Sequence, residues 1–180
     1  KIREKSFLEK LENLYGEHIL INEGGFSIRG KEGAALIQDF YIDKGFSHIC
    51  LAVGTATTFA GLVDANEKGI AILGFGVVKN MHDIPKRFQE LTVSSLKKYT
   101  FINDYHFGGY AKRNPDLIAF MNRFYEENKI ALDFVYTGKM MYGVYDLIRK
   151  NYFAKGSKIL CIHTGGLQGN NSLQPGLLKY

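Results

Sequence analysis

Residues 51–61 read Leu-Ala-Val-Gly-Thr-Ala-Thr-Thr-Phe-Ala-Gly, and this stretch decides the fold. The apolar run Ser47 to Val53 has the length and character of a buried strand. It meets Gly54 and passes at once into a helical pattern, Thr57 to Lys68, which Gly69 ends. A strand that turns directly into a helix through small residues is the first half of a βαβ unit. Amide groups at such a helix start have no intrahelical acceptor, and the aligned peptide dipoles add partial positive charge. Gly54, Thr55, Ala56, Thr57 and Thr58 therefore form a phosphate cradle on paper: small residues let an anion approach, and three Thr hydroxyls can donate to it. The same residues also suit an ordinary strand-to-helix turn with Thr caps.

Strands and helices alternate outward from this point. Downstream, Ile70 to Val78 reads as a strand, and Asp83 to Leu96 as a helix that tolerates Pro85 in its first turn. A brief strand follows at Tyr99 to Ile102, then a polar, glycine-containing connection from Asn103 to Asn114. Pro115 opens a helix reaching about Asn128, Gly138 to Phe153 forms another that closes near Gly156, and Lys158 to Ile162 is a final strand before the Gly165-Gly166 turn. Upstream, Ser6 to Tyr15 has helical spacing with Ser6 as N-cap, His18 to Ile21 reads as a short strand closed by Gly24-Gly25, and Lys31 to Lys44 reads as a helix stopped by Gly45. The expected class is α/β: an open, mostly parallel twisted sheet with helices on both faces, in one unit spanning residues 1–180.

Composition narrows the function. The 180 residues are 46% hydrophobic and include 13 Phe and 11 Tyr, which excludes a disordered chain, a collagen and a coiled coil. No apolar run approaches the roughly 20 residues of a membrane span, and no signal-peptide pattern opens the sequence. The net charge of +5 comes from scattered bases. Lys97-Lys98, Lys112-Arg113 and Arg149-Lys150 are the densest pairs, without the basic stripe and interleaved aromatics of a nucleic-acid binder. Neither nucleic acid nor membrane is an expected partner. Cys50 and Cys161 lie in β-like runs and read as buried thiols of a cytoplasmic protein. The sequence begins at Lys1 and not at Met, which implies a processed chain or a piece of a longer one.

The cradle lacks the Lys-Ser or Lys-Thr of a Walker loop, and the next strand runs into Lys79, not a ribose-binding carboxylate, so NAD is not expected. Two further segments, Val135 to Lys139 and Ile162 to Gly166, are expected at carboxyl ends of strands or adjoining helix starts, where open α/β sheets bind ligands. His163 reads as hydrogen-bonded scaffold. Asp104-Tyr105-His106 has no Ser in a nucleophile-elbow context, and no His pair has metal-ligand spacing with a Glu, so no metal is expected. Lys31, Lys79 and Lys139 read as surface or helix-end lysines, since nothing local marks a desolvated amine.

Gly54 to Thr58 with Gly61, the run Tyr136-Thr137-Gly138-Lys139, and His163-Thr164-Gly165-Gly166 together resemble a known family. It comprises the pyridoxal-phosphate enzymes grouped as 1-aminocyclopropane-1-carboxylate deaminase and D-cysteine desulfhydrase, of the tryptophan-synthase-β class (fold type II). The likeness runs from about Glu23 to Gly166 and includes Tyr110 in the Gly108-Gly109-Tyr110 turn. It implies pyridoxal 5'-phosphate as cofactor, with Gly54, Thr55, Ala56, Thr57 and Thr58 on its phosphate and Thr137 and Thr164 beside its ring. Tyr110 and Tyr136 would be the catalytic tyrosines facing a small amino-acid substrate, in a homodimer. Thr137 stands where desulfhydrases carry Thr and deaminases a carboxylate. A hydroxyl there makes the ring a weaker electron sink, which suits β-elimination. The family's Schiff-base lysine and its Ser-Asn substrate-gripping segment lie upstream of everything matched. The chain would thus be the large cofactor-binding domain plus part of the small one. The rival expectation is a non-catalytic α/β module that binds a phosphate ester or a partner without chemistry, or an inactive fragment.

Overall fold

A computed structural model of the chain describes residues 5–79, 83–92 and 99–180. Its centre is a four-stranded, wholly parallel sheet in the order β3-β2-β1-β4. The strands are β1 (His48–Val53), β2 (Ala71–Gly76), β3 (Tyr99–Ile102) and β4 (Ile159–Cys161). Val53 lies in register with Gly76, Cys50 with Cys161, and Phe75 with Ile102, so the loops leaving the strands emerge along one edge. Helix α3 (Thr57–Ala65) connects β1 to β2, and α4 (Ile84–Leu91) lies between β2 and β3 in the chain.

Strand alternation sends side chains to two cores. Ile49, Leu51, Val53 and Ile72 face a cluster with Phe59, Leu62 and Val63 of α3 and Phe88 and Leu91 of α4. Cys50, Ala52, Leu73 and Phe75 face the opposite side, where Met140, Val144 and Leu147 of α6 (Thr137–Arg149) cover them. Both faces are therefore clothed, which is why β1 and β2 read as continuous apolar runs. Helix α5 (Pro115–Asn128) packs beside α6 and, with the C-terminal residues Leu173, Leu177 and Tyr180, makes a third cluster. Glycines set two close approaches. A Cβ on Gly74 would stand 2.7 Å from the Phe59 ring, and one on Gly61 would stand 2.5 Å from the Lys31 carbonyl. Gly61 thus lets α2 (Ile28–Ala35) lie directly on α3.

The parallel α/β class is as expected, and most elements fall where the periodicity puts them. The differences have local causes. Among the described residues the run His18–Ile21 pairs with no strand; Ile19 and Ile21 are exposed, and a 3-10 turn at Glu23–Gly25 follows. An apolar tetrapeptide becomes a strand only where a sheet edge receives it. Helix α1 (Lys5–Tyr15) already includes Ser6, so Ser6 is not its cap. Helix α2 begins earlier than expected because the Ser27 hydroxyl accepts from the Gly30 amide at 3.0 Å. It ends as α-helix at Ala35 and continues as 3-10 to Phe40, short of Lys44. Helix α3 stops at Ala65 because the Asn66 side chain binds both the amide and the carbonyl of Ile70. Lys97-Lys98 and the last residues of the helix expected to reach Leu96 lie outside the described residues. Among the described residues no helix is long and apolar enough to cross a membrane.

Candidate active site at the carboxyl edge of the sheet

The loop after β1 enters α3 through Ala56, whose backbone is left-handed (φ +71°). This residue is the N-cap and accepts the first helical bond, from the Ala60 amide at 2.8 Å, yet it has no polar side chain with which to cap. The flanking hydroxyls are committed to each other: Thr55 Oγ1 lies 3.0 Å from Thr57 Oγ1 and donates to the Gly24 carbonyl at 3.3 Å. Gly24 is obligatory there, since a Cβ would stand 2.5 Å from the Thr55 side chain. The first amides of α3 thus line a small cavity of about 50 Å³ bounded by residues 52–59, without an intrahelical acceptor and with the positive end of the dipole behind them. A compact anion bearing several acceptor oxygens fits that donor set.

A second cavity of about 190 Å³ adjoins it, lined by Glu23, Gly54, Thr55, Arg87, Tyr110 and Tyr136 among others. Tyr136 reaches this space because Gly54 has no side chain; a Cβ there would stand 3.2 Å from Tyr136 Cε1. The Tyr110 and Tyr136 rings meet edge-on, with centroids 6.3 Å apart at 73°. Burial, aided by the neighbouring Tyr110 phenol, pushes the Tyr136 hydroxyl up to about 12. It therefore keeps its proton at neutral pH. Tyr110 is largely exposed.

Tyr136 is fixed by a residue that sequence reasoning missed. Asp133 is fully buried, and its carboxylate accepts from the amides of Val135 (2.9 Å), Tyr136 (2.7 Å) and Thr137 (2.9 Å) and from the Thr137 hydroxyl (2.6 Å). This satisfies the start of α6 much as an N-cap does. The Asp133 amide in turn donates to Thr137 Oγ1 at 2.9 Å. Thr137, expected beside a cofactor ring, is fully buried and spends its hydroxyl proton on Asp133. An Asp four residues ahead of a helical Thr was a readable cap signal.

The loop carrying Thr164 meets the same carboxylate. A Cβ on Gly166 (φ +90°) would stand 3.2 Å from Asp133 Cγ. Thr164 itself is exposed. His163 is scaffold, as expected: Nε2 donates to the Ala131 carbonyl at 2.8 Å while Nδ1 accepts from the Gly165 amide at 3.1 Å, which fixes the tautomer. In the other His-bearing run, Tyr105 donates to Asp146 at 2.8 Å, and His106 Nδ1 accepts from the Gly108 amide at 2.9 Å.

The expectation of surface or helix-end lysines holds for Lys79, which is exposed, and is corrected for the other two. Lys31 is a largely buried side chain paired with Asp64 at 2.8 Å. Lys139 is fully buried, and its ammonium donates to the carbonyls of Val77 (3.1 Å), His106 (2.9 Å) and Gly109 (2.6 Å). Desolvation pulls it down to about 8, partly opposed by the Asp133 charge. No local pattern marks this site, because its three acceptors come from two distant segments. Among the described residues no group of three His, Cys, Asp or Glu side chains could hold a metal ion.

Comparison with known proteins bears out the family resemblance drawn from the motifs. A Pyrococcus horikoshii protein named as a candidate 1-aminocyclopropane-1-carboxylate deaminase is 36% identical over 69% of this chain and 41% of its own length. A Pyrococcus furiosus protein of the same name is 31% identical over 89% of this chain and 54% of its own. A D-cysteine desulfhydrase from Klebsiella pneumoniae is 33% identical over 67% and 40%. The chain therefore spans about half the length of the curated relatives it matches. A crystal structure of a 1-aminocyclopropane-1-carboxylate deaminase homologue superposes with a TM-score of 0.76 at 27% identity, covering 92% of this chain and 55% of that one. No protein-family model matches the chain.

Proposed function

We propose that this chain, a relative of the 1-aminocyclopropane-1-carboxylate deaminases and D-cysteine desulfhydrases, is the C-terminal portion of a pyridoxal-phosphate enzyme of that type. It would carry most of the cofactor domain and part of the smaller one, and act on a small amino acid to give a 2-oxo acid and ammonia. The observation that carries the reading is the juxtaposition at Gly54. One glycine ends β1, opens the uncapped start of α3 to an anion, and admits Tyr136 to the adjoining cavity.

The residues present fit the cofactor's phosphate, and the amides of Thr57, Thr58 and Phe59 would hold it, with the absent side chain of Gly54 and the small one of Ala56 allowing close approach. When bound, pyridoxal phosphate supplies an electron sink for the pair left at the substrate α-carbon. The chain's own contribution is to bind, orient and donate. Tyr136, neutral at working pH, presents its hydroxyl proton to the group leaving the substrate, a thiol sulfur or a ring carbon. Tyr110 stands edge-on beside it and lines the same cavity. Asp133 fixes the backbone of Tyr136 from below. Of the two threonines, exposed Thr164 has the hydroxyl left to meet a ring edge, while Thr137 supports that edge through Asp133. A threonine and not a carboxylate at position 137 favours desulfhydrase-type β-elimination. Exposed apolar side chains such as Leu14, Ile19, Ile21 and Phe40 suit a further interface, in keeping with a homodimer, and the free thiols Cys50 and Cys161 with a cytoplasmic setting.

The test is an assay of the full-length protein for ammonia and 2-oxo acid release from D-cysteine and from 1-aminocyclopropane-1-carboxylate. Tyr136→Phe should lower kcat about 10²-fold or more while cofactor affinity stays nearly unchanged. Equal loss of both would show that Tyr136 serves the cofactor and not the substrate.

A further inference from the structure

The buried Lys139 ammonium takes no part in the chemistry above, and its placement is costly. A cation removed from water loses hydration, and one in the first turn of a helix faces the unfavourable end of the dipole. A methionine of similar size would fill the same space without those penalties. What the ammonium does is hold backbone. An –NH₃⁺ group has three donors, and all three are used: one on Val77 just beyond β2, and two on the turn at His106 and Gly109.

That turn needs holding. Phe107 (φ +53°), Gly108 (φ +96°), Gly109 (φ +126°) and Ala111 (φ +51°) are all left-handed, and two of them are not glycine. The two that are not glycine, Phe107 and Ala111, are strained there and persist only where their surroundings over-determine them. Gly109 also lies close against the strand end, since a Cβ there would stand 3.2 Å from Lys79 Cβ. The residue that follows Gly109 is Tyr110, whose ring meets Tyr136, and Tyr136 stands three residues before Lys139 at the same helix start. Both tyrosines are therefore referenced to one side chain.

Resting on the reading of this edge as the active site, we propose that Lys139 is a positioning residue: by holding the carbonyls of Val77, His106 and Gly109, its ammonium sets Tyr110 against Tyr136. Lys139 does not touch the substrate and acts only through Tyr110.

The test is a double-mutant cycle in the full-length, cofactor-loaded protein with Lys139→Met, Tyr110→Phe and the pair. Lys139→Met should lower kcat about 10²-fold, as for a misplacement on the ångström scale, with cofactor affinity within about twofold of the parent. In the Tyr110→Phe background it should lower kcat no further. A second readout needs no turnover: in protein labelled with ¹³C-tyrosine, Lys139→Met should move the Tyr136 ring resonances, and in a Tyr110→Ala background, which has no ring to displace, it should move them much less. If Lys139→Met does not fold, Gly109→Ala lifts the same turn from Lys79 while leaving the ammonium in place, and should give the same two signatures. Losses that multiply in the double variant, or Tyr136 resonances unmoved by either change, overturn the proposal. If the parent protein turns over neither amino acid, the proposed activity fails while the resonance experiment still decides the role of Lys139.

Discussion

Replacing Asp133 by Ala should destabilise the protein by about 3–5 kcal/mol, more than a surface cap is worth. The carboxylate is fully buried and accepts four bonds, from the amides of Val135, Tyr136 and Thr137 and from the Thr137 hydroxyl. Loss of a helix cap alone costs about 0.5–2 kcal/mol. Here the donors left behind are largely shut away from water, and each buried donor without an acceptor costs about 1–3 kcal/mol. Thr137 supplies two of them and is itself fully buried. Water reaching the half-buried Tyr136 amide, and relief of the carboxylate's own desolvation, offset part of the sum and leave the range stated. Asp133→Asn keeps one acceptor oxygen but turns an amide NH₂ toward Thr137, and should lose about half as much. Urea denaturation of the full-length apoprotein reads the effect, as a lowered midpoint at unchanged slope. An Asp133→Ala variant within about 1 kcal/mol of the parent, or an Asn variant as damaged as the Ala one, would refute this account of the α6 start.

Two further outcomes follow from the same contacts. Gly61→Ala should cost about 1–3 kcal/mol, because its Cβ would stand 2.5 Å from the Lys31 carbonyl and 2.9 Å from Ala34 Cβ; thermal unfolding checks this, and a neutral substitution would mean α2 is free to move off α3. The Tyr136 phenol, raised to about 12, should show no ¹³Cζ titration below pH about 10. Its pKa in the fold is above the unfolded value, so its neutral form contributes stability fully below pH about 10, lost as pH rises toward 12; a midpoint at or below 10 contradicts the burial argument.

How much of this was legible in the sequence depended on how local each cause is. The β1–α3 unit was, because an apolar run, a glycine and a threonine-rich helix start are consecutive. So was α5, whose Asn114 side chain accepts from the Leu117 amide at 2.9 Å ahead of Pro115. His18–Ile21 misled because a strand needs a partner edge that the run itself cannot announce. Gly54 and Gly165 lie beyond the carboxyl ends of β1 and β4, which parallel register aligns, and Tyr136 joins them from the start of α6 with its ring against Gly54. Lys139 was misread because a lysine that follows Thr137-Gly138 in the first turn of a helix looks exposed, and its three carbonyls lie 30 or more residues away in the chain. Gly61 belonged to a recognised motif, yet its reason, contact with α2, appears only in the packing.

In the proposed enzyme this edge holds pyridoxal phosphate while the lysine that carries the cofactor lies outside these 180 residues. Borohydride reduction of the full-length protein, digestion and mass spectrometry locate the pyridoxyl-lysine directly. One labelled peptide, upstream of Lys1, is the expected result. A label on Lys31, Lys79 or Lys139, or no label in a protein saturated with cofactor, would contradict it.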